Sequence, residues 1–237
     1  LSFFYRGSML ISNKNIGRKS IIGILGGMGP YATNFFLKRM IDLTPVRVDK
    51  DHFHTIIDNN VKIPSRTRAI KYNEQSPVND MVNSINNLAR IGCKYVMLPC
   101  NSAHYFYDEV SNQIEIPWLN MIEIVSNRMH ELNYCKPLVL GGFITTQKKV
   151  YSKFLPKSVY LTDNENRIVE AIIEEIKNKN CLERKSDKTL RAIIKDYDSS
   201  IDSILLGCTE LPIAIDEDYF KGKKAISSID EYIKYLL

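Results

Sequence analysis

Short apolar runs alternate with longer amphipathic stretches along most of the chain. Residues 21–25, 53–57, 94–98, 138–142, 158–161, 203–206 and 225–227 have the length and composition of buried strands. Residues 31–42, 77–91, 103–111, 121–132, 145–154, 165–177, 187–197 and 229–237 read as helices. In the second of these, Met81, Ile85, Leu88 and Ala89 fall on one face. Residues 58–67 read as a polar loop, and Ile116-Pro117-Trp118-Leu119 as a short extended segment. A polar break at Lys179-Asn180 separates two of the late helices. Strand and helix in strict alternation predict parallel sheets.

Two of the strands end alike. Lys94-Tyr95-Val96-Met97-Leu98-Pro99-Cys100-Asn101-Ser102-Ala103-His104 and Ser203-Ile204-Leu205-Leu206-Gly207-Cys208-Thr209-Glu210 each run from apolar residues through Pro or Gly to a cysteine, then to an oxygen-bearing side chain. A parallel strand delivers its next residues to the carboxyl edge of the sheet, where α/β proteins bind ligands. A second echo has nearly the same offset: Ile24-Leu25-Gly26-Gly27 recurs as Val139-Leu140-Gly141-Gly142. The expected architecture is α/β, with two similar halves whose parallel sheets face each other and one cysteine from each half. The expected division is residues 20–115 plus 212–237 for the first half and 116–211 for the second.

Composition narrows the field. The 237 residues are 44% hydrophobic and 25% charged, ordinary for a soluble globular protein. No apolar run approaches the roughly 20 residues needed to span a bilayer. The net charge of +5 is interspersed rather than blocked, so no nucleic-acid surface is indicated. Five scattered cysteines without a CxxC pair suggest neither a disulfide framework nor a zinc site, and fit a reducing cytoplasm. Residues 1–19 do not begin with Met and lack the pattern of a signal peptide. They are left outside the fold as a leader, flexible or vector-derived.

Gly26-Gly27-Met28-Gly29-Pro30-Tyr31-Ala32-Thr33, Pro99-Cys100-Asn101-Ser102-Ala103-His104 and Leu206-Gly207-Cys208-Thr209-Glu210-Leu211-Pro212 together resemble the aspartate/glutamate racemase family, in its aspartate racemase branch. The resemblance runs from about Ile21 to the C-terminus. It implies racemisation of an acidic amino acid, aspartate foremost, without PLP, metal or any other cofactor. It implies that Cys100 and Cys208 act as two bases on opposite faces of the substrate, and that the enzyme is a cytoplasmic homodimer. Thiols suit the task because a cysteine near exposed amides becomes partly thiolate. One then acts as base while the other acts as acid.

The resemblance also assigns substrate contacts. Asn101, Ser102 and Thr209 supply amides and side chains, and Ser102 keeps the hydroxyl of the usual threonine. Thr145 matches a threonine of the carboxylate-binding turn, while Gly142 stands where threonine is usual. Met28 brings its backbone to the ligand in a turn whose spacing is not that of a dinucleotide fingerprint. Arg66 matches an arginine that grips the side-chain carboxylate, for which its planar fork is suited. A lysine near Lys179 is a second cation. His104 supports the site. Glu210 stands where glutamate racemases carry histidine, orienting site groups and tuning the Cys208 thiol.

Other readings remain open. The Cys100–His104 spacing also suits a hydrolase dyad, although no residue orienting the histidine is identifiable. Both cysteines as buried free thiols, and Arg66 as a surface residue, are the bland alternatives. Racemisation of glutamate or of a broader range, or a catalytically idle amino-acid-binding protein, are the rival functions.

Overall fold

A computed structural model describes residues 20–179, 181–216, 218–220 and 222–237; of Lys179 it describes the backbone. The leader, 1–19, lies outside the described residues. The first sheet holds β1 (Ile22–Gly26), β2 (Thr55–Asn59) and β3 (Tyr95–Met97), in the order β2-β1-β3. The second holds β4 (Pro137–Leu140), β5 (Val159–Tyr160), β6 (Ser203–Leu206) and β7 (Ala225–Ser227), in the order β5-β4-β6-β7. Every pairing is parallel, with Ile24 opposite Ile57 and Met97, and Leu205 opposite Val139 and Ile226. Strands covered on both faces read as unbroken apolar runs, and all five residues of β1 are buried.

The helices are α1 (Pro30–Leu43), α2 (Arg66–Tyr72), α3 (Val78–Arg90), α4 (Tyr107–Ser111), α5 (Met121–Glu131), α6 (Phe143–Gln147), α7 (Asp163–Lys179), α8 (Arg184–Lys195) and α9 (Ser228–Lys234). The turn into α1 shows how sequence sets local shape. Gly27 has φ 87°, and a Cβ there would meet the Asn60 backbone carbon at 2.3 Å, so the position excludes a side chain. Its N–H donates to Thr33 Oγ1 at 3.0 Å, and that hydroxyl donates to Gly29 O at 2.9 Å. Pro30 then opens the helix, where a missing N–H costs nothing.

The internal echo is visible in the topology. β2-β1-β3 and β5-β4-β6 repeat one order, with a Gly-Gly exit on the middle strand and a cysteine exit on the third. From β1 and from β4 the chain crosses first to one side and then to the other. Each sheet therefore has a switch point at its carboxyl end, and Cys100 and Cys208 stand at these two places.

One buried cluster joins the halves. It takes Ile24 and Met97 from the first sheet, Val139, Leu205 and Ile226 from the second, and Ile229, Tyr232 and Ile233 from α9. The other side of the first sheet is covered by α3, through Met81, Ile85 and Leu88. That of the second is covered by α7 and α8, through Val169, Ile172, Ile176, Leu190 and Ile194.

Two expectations are corrected. Part of the polar loop is helix α2, capped by Ser65, whose Oγ accepts from Arg68 N. The helix expected over 145–154 is the shorter α6, followed by turns, because Lys149 turns left-handed at φ 48°. After residue 211, β7 pairs with β6, and α9 packs against α1 and α5. Residues 116–119 stay extended, with Trp118 bridging Val96 in parallel at the edge of the first sheet.

Candidate active site

A cavity of about 410 Å³ opens where the carboxyl ends of the two sheets meet. Met28, Arg66, Cys100, Asn101, Ser102, Thr145, Cys208, Thr209 and Glu210 line it, so most of the residues singled out in the sequence come together. His104 is not among those lining it. The side chain of Lys179 lies outside the described residues. Lys177, two residues earlier on the same helix, lines the cavity.

Each cysteine has its own setting. Cys100 is buried, and its Sγ lies 3.5 Å from Ser102 Oγ. Cys208 is half-buried, and its S–H donates to Glu210 Oε2 at 3.0 Å. The same carboxylate oxygen accepts from Thr209 Oγ1 at 3.3 Å. Burial raises the Cys208 pKa well above the usual thiol value, the Glu210 charge raises it further, and Lys177 opposes both. Cys208 therefore rests as a thiol.

The cations are placed differently. Arg66 opens α2, its Nη1 donating to Pro64 O at 3.1 Å and its Nη2 to Met28 O at 3.0 Å. The Met28 carbonyl thus holds the arginine. Arg66 Nε is buried without a hydrogen-bond partner. Lys177 projects from α7 with Nζ 2.6 Å from Glu174 Oε1. Burial pushes its pKa down, but Glu210, Cys208 and Glu174 pull it up further, so the ammonium stays charged. Glu170, Glu174 and Lys177, all cavity-lining, are spaced four and three residues apart. That helical face is the signal that could have found Lys177 in the sequence.

His104 stands behind Cys100 rather than in the cleft. Met121 N–H donates to its Nε2 at 3.0 Å, so Nδ1 carries the proton and donates to Cys100 O at 2.9 Å. Both nitrogens are thereby committed to backbone, which rules out a hydrolase dyad. Burial drives its pKa from 6.5 down to about 4, against the backbone carbonyls of Cys100 and Leu119, which favour the charged ring. The unfolded chain takes up this proton near pH 6.5 and the folded protein near 4. Stability from this group is complete above about pH 6.5 and is lost progressively as pH falls to about 4, by roughly 3 kcal/mol. Urea unfolding of wild type and His104→Asn between these limits checks it: the variant should show the flatter pH dependence.

Asn101 is buried and fully engaged: Nδ2 donates to Ser228 Oγ at 3.1 Å, and Oδ1 accepts from Tyr151 O–H. Its side chain therefore serves the protein frame as well as the cleft wall. Among the described residues, no group of three or more His, Cys, Asp or Glu is placed to hold a metal ion. No described helix is long and apolar enough to cross a membrane.

Twin switch points bring two thiols and two cations into one cleft. The chain belongs to the Asp/Glu/Hydantoin racemase family, whose sequence profile matches residues 25–235. It is 28% identical over 204 residues to the broad specificity amino-acid racemase RacX of Bacillus subtilis, an overlap covering 83% of this chain and 88% of that protein. The aspartate racemase of Picrophilus torridus superposes with a TM-score of 0.81 at 28% identity, over 92% of this chain and 100% of that one. An aspartate racemase homologue from Pyrococcus horikoshii shares the fold, with a TM-score of 0.72 at 24% identity over 92% of this chain and 97% of that one.

Proposed function

We propose that this chain interconverts L- and D-aspartate by passing the Cα proton between Cys100 and Cys208, without a cofactor. The observation that carries the reading is that both strand-end thiols line one cleft together with Arg66 and Lys177. Racemisation removes a proton from one face of Cα and returns one to the other. Two fixed groups achieve this without turning the substrate.

Cys208 rests as the thiol, so in one direction Cys100 is the base. Its thiolate takes the Cα proton and becomes S–H. The electron pair left on carbon spreads into the neighbouring carboxylate. Cys208 then gives its proton to the opposite face and becomes thiolate, and the reverse reaction swaps the roles. Glu210 aims the Cys208 S–H and disfavours early ionisation. Lys177 offsets the negative charge that appears on Cys208 during turnover. Such charge is best met by groups already in place.

Arg66 is the proposed grip for the side-chain carboxylate, since its buried Nε–H lacks an acceptor. Glu170 and Glu174, which line the same cleft, suit the substrate ammonium. Working thiols require reduction, so the reading carries a cytoplasmic-type compartment with it. A broader amino-acid range is the second reading, favoured by similarity to the Bacillus subtilis broad specificity racemase.

A panel of single L-amino acids, followed by chiral separation, tests both. D-aspartate should appear and approach equal amounts with L-aspartate. Turnover of neutral amino acids at comparable rates would replace the first reading with the second. No D-product and no Cα hydrogen exchange in deuterated water would leave an idle binding protein.

A further inference from the structure

Ser228 is the first residue of α9 and is fully buried. Its hydroxyl donates to Leu206 O at 2.7 Å and accepts from Asn101 Nδ2 at 3.1 Å. Asn101 directly follows Cys100, and Leu206 ends the strand that leads through Gly207 to Cys208. One hydroxyl thus joins the two cysteine turns. The directions are forced, because an amide nitrogen only donates and a carbonyl only accepts. Asn101 cannot rotate away, since fully buried Tyr151 donates to its Oδ1. A buried network of this kind is rigid when every member is satisfied.

α9 is itself fastened on both sides. Tyr232 O–H donates to Leu119 O at 2.6 Å and accepts from Leu98 N at 3.4 Å, at the exit of β3. Asp230 takes a two-pronged bond from Arg39 of α1, at 2.9 and 2.7 Å. Ser228 therefore stands on a firm base between the turns it connects.

We propose that Ser228 is a positioning residue that sets the separation of Cys100 and Cys208. The inference rests on the two-thiol reading above, which requires both sulfurs within proton-transfer reach of one carbon. A misplacement of about 1 Å costs on the order of 10²-fold in rate. Ser228 acts through Asn101 and Leu206 rather than on either sulfur.

The test uses Ser228→Ala and Tyr151→Phe, assayed at a temperature where circular dichroism shows both folded. kcat for the racemised substrate should fall roughly 10- to 100-fold in Ser228→Ala. KM should stay within about threefold, because Arg66 and Lys177 are untouched. Tyr151→Phe should fall in the same direction, and the double variant by less than the product of the two losses, since both act through Asn101. The second readout is the rate of alkylation by iodoacetamide, resolved by peptide mass. Cys100 and Cys208 should both change rate in Ser228→Ala, while exposed Cys181 should not. Unchanged kcat in the folded variant, or a rate change at one cysteine alone, overturns the proposal. If the wild type racemises nothing, the functional reading fails by itself, and the alkylation rates still decide whether Ser228 couples the turns. Should Ser228→Ala not fold, Tyr151→Phe is judged by the same criteria.

Discussion

Cys100→Ala and Cys208→Ala should each lose racemisation by roughly 10²–10⁴-fold, the usual contribution of a positioned acid or base. Neither should lose the fold. Both positions are strand exits at the cleft wall, and each change removes one sulfur atom. The residual activity is informative. A single thiol still reaches one face of the substrate, so Cα hydrogen exchange with solvent should persist for one enantiomer. The enantiomer should be opposite in the two variants, because the thiols serve opposite faces. Cys208→Ala also leaves Glu210 Oε2 with only the Thr209 donor of the two described. Deuterium uptake from separate L and D substrates measures this directly. Normal racemisation in either variant would sink the two-thiol mechanism.

Arg66→Ala should lower kcat/KM for aspartate by roughly 30- to 4000-fold, as expected from about 2–5 kcal/mol for breaking a desolvated charge pair. A neutral amino acid makes no such contact, so its constant should change little. The ratio of kcat/KM for aspartate to that for alanine is therefore the quantity to compare. Arg66→Lys should rescue only in part. An ammonium cannot hold Pro64 O, Met28 O and a carboxylate with one planar fork. Lys177→Ala should cost aspartate less, because that ammonium is already paired with Glu174. An unchanged ratio in Arg66→Ala would mean that Lys177 selects the substrate.

The parts legible in the sequence are those with short-range physical causes. Strands buried on both faces left unbroken apolar runs, and their Gly-Gly and cysteine exits marked the switch points. α2 was hidden because few of its residues are apolar: Ala69 and Ile70 are only partly buried, and the Ser65 cap lies in a polar stretch. The end of α6 was hidden because nothing at Lys149 announces a left-handed residue. Lys177 was within reach. At about 100° per residue, Glu170, Glu174 and Lys177 share a face, and Lys179 lies some 200° further round. The role of Ser228 had no local trace. Its partner Asn101 is 127 positions away, and only the packed chain brings them together.

That distance has a consequence for how the molecule assembles. The bonds that seat α9 close loops of 127, 134 and 191 residues, through Asn101, Leu98 and Arg39. Within each sheet the pairings span shorter stretches of chain. Loop-closure entropy favours the nearer contacts first, and distant contacts are made more slowly. Loop closure thus favours each half acquiring its own sheet before the last helix latches them together. A chain caught between those steps has both sheets but lacks the helix that joins their cysteine turns. Catalytic competence is therefore a late property of folding, conferred by a helix that contributes no reacting atom.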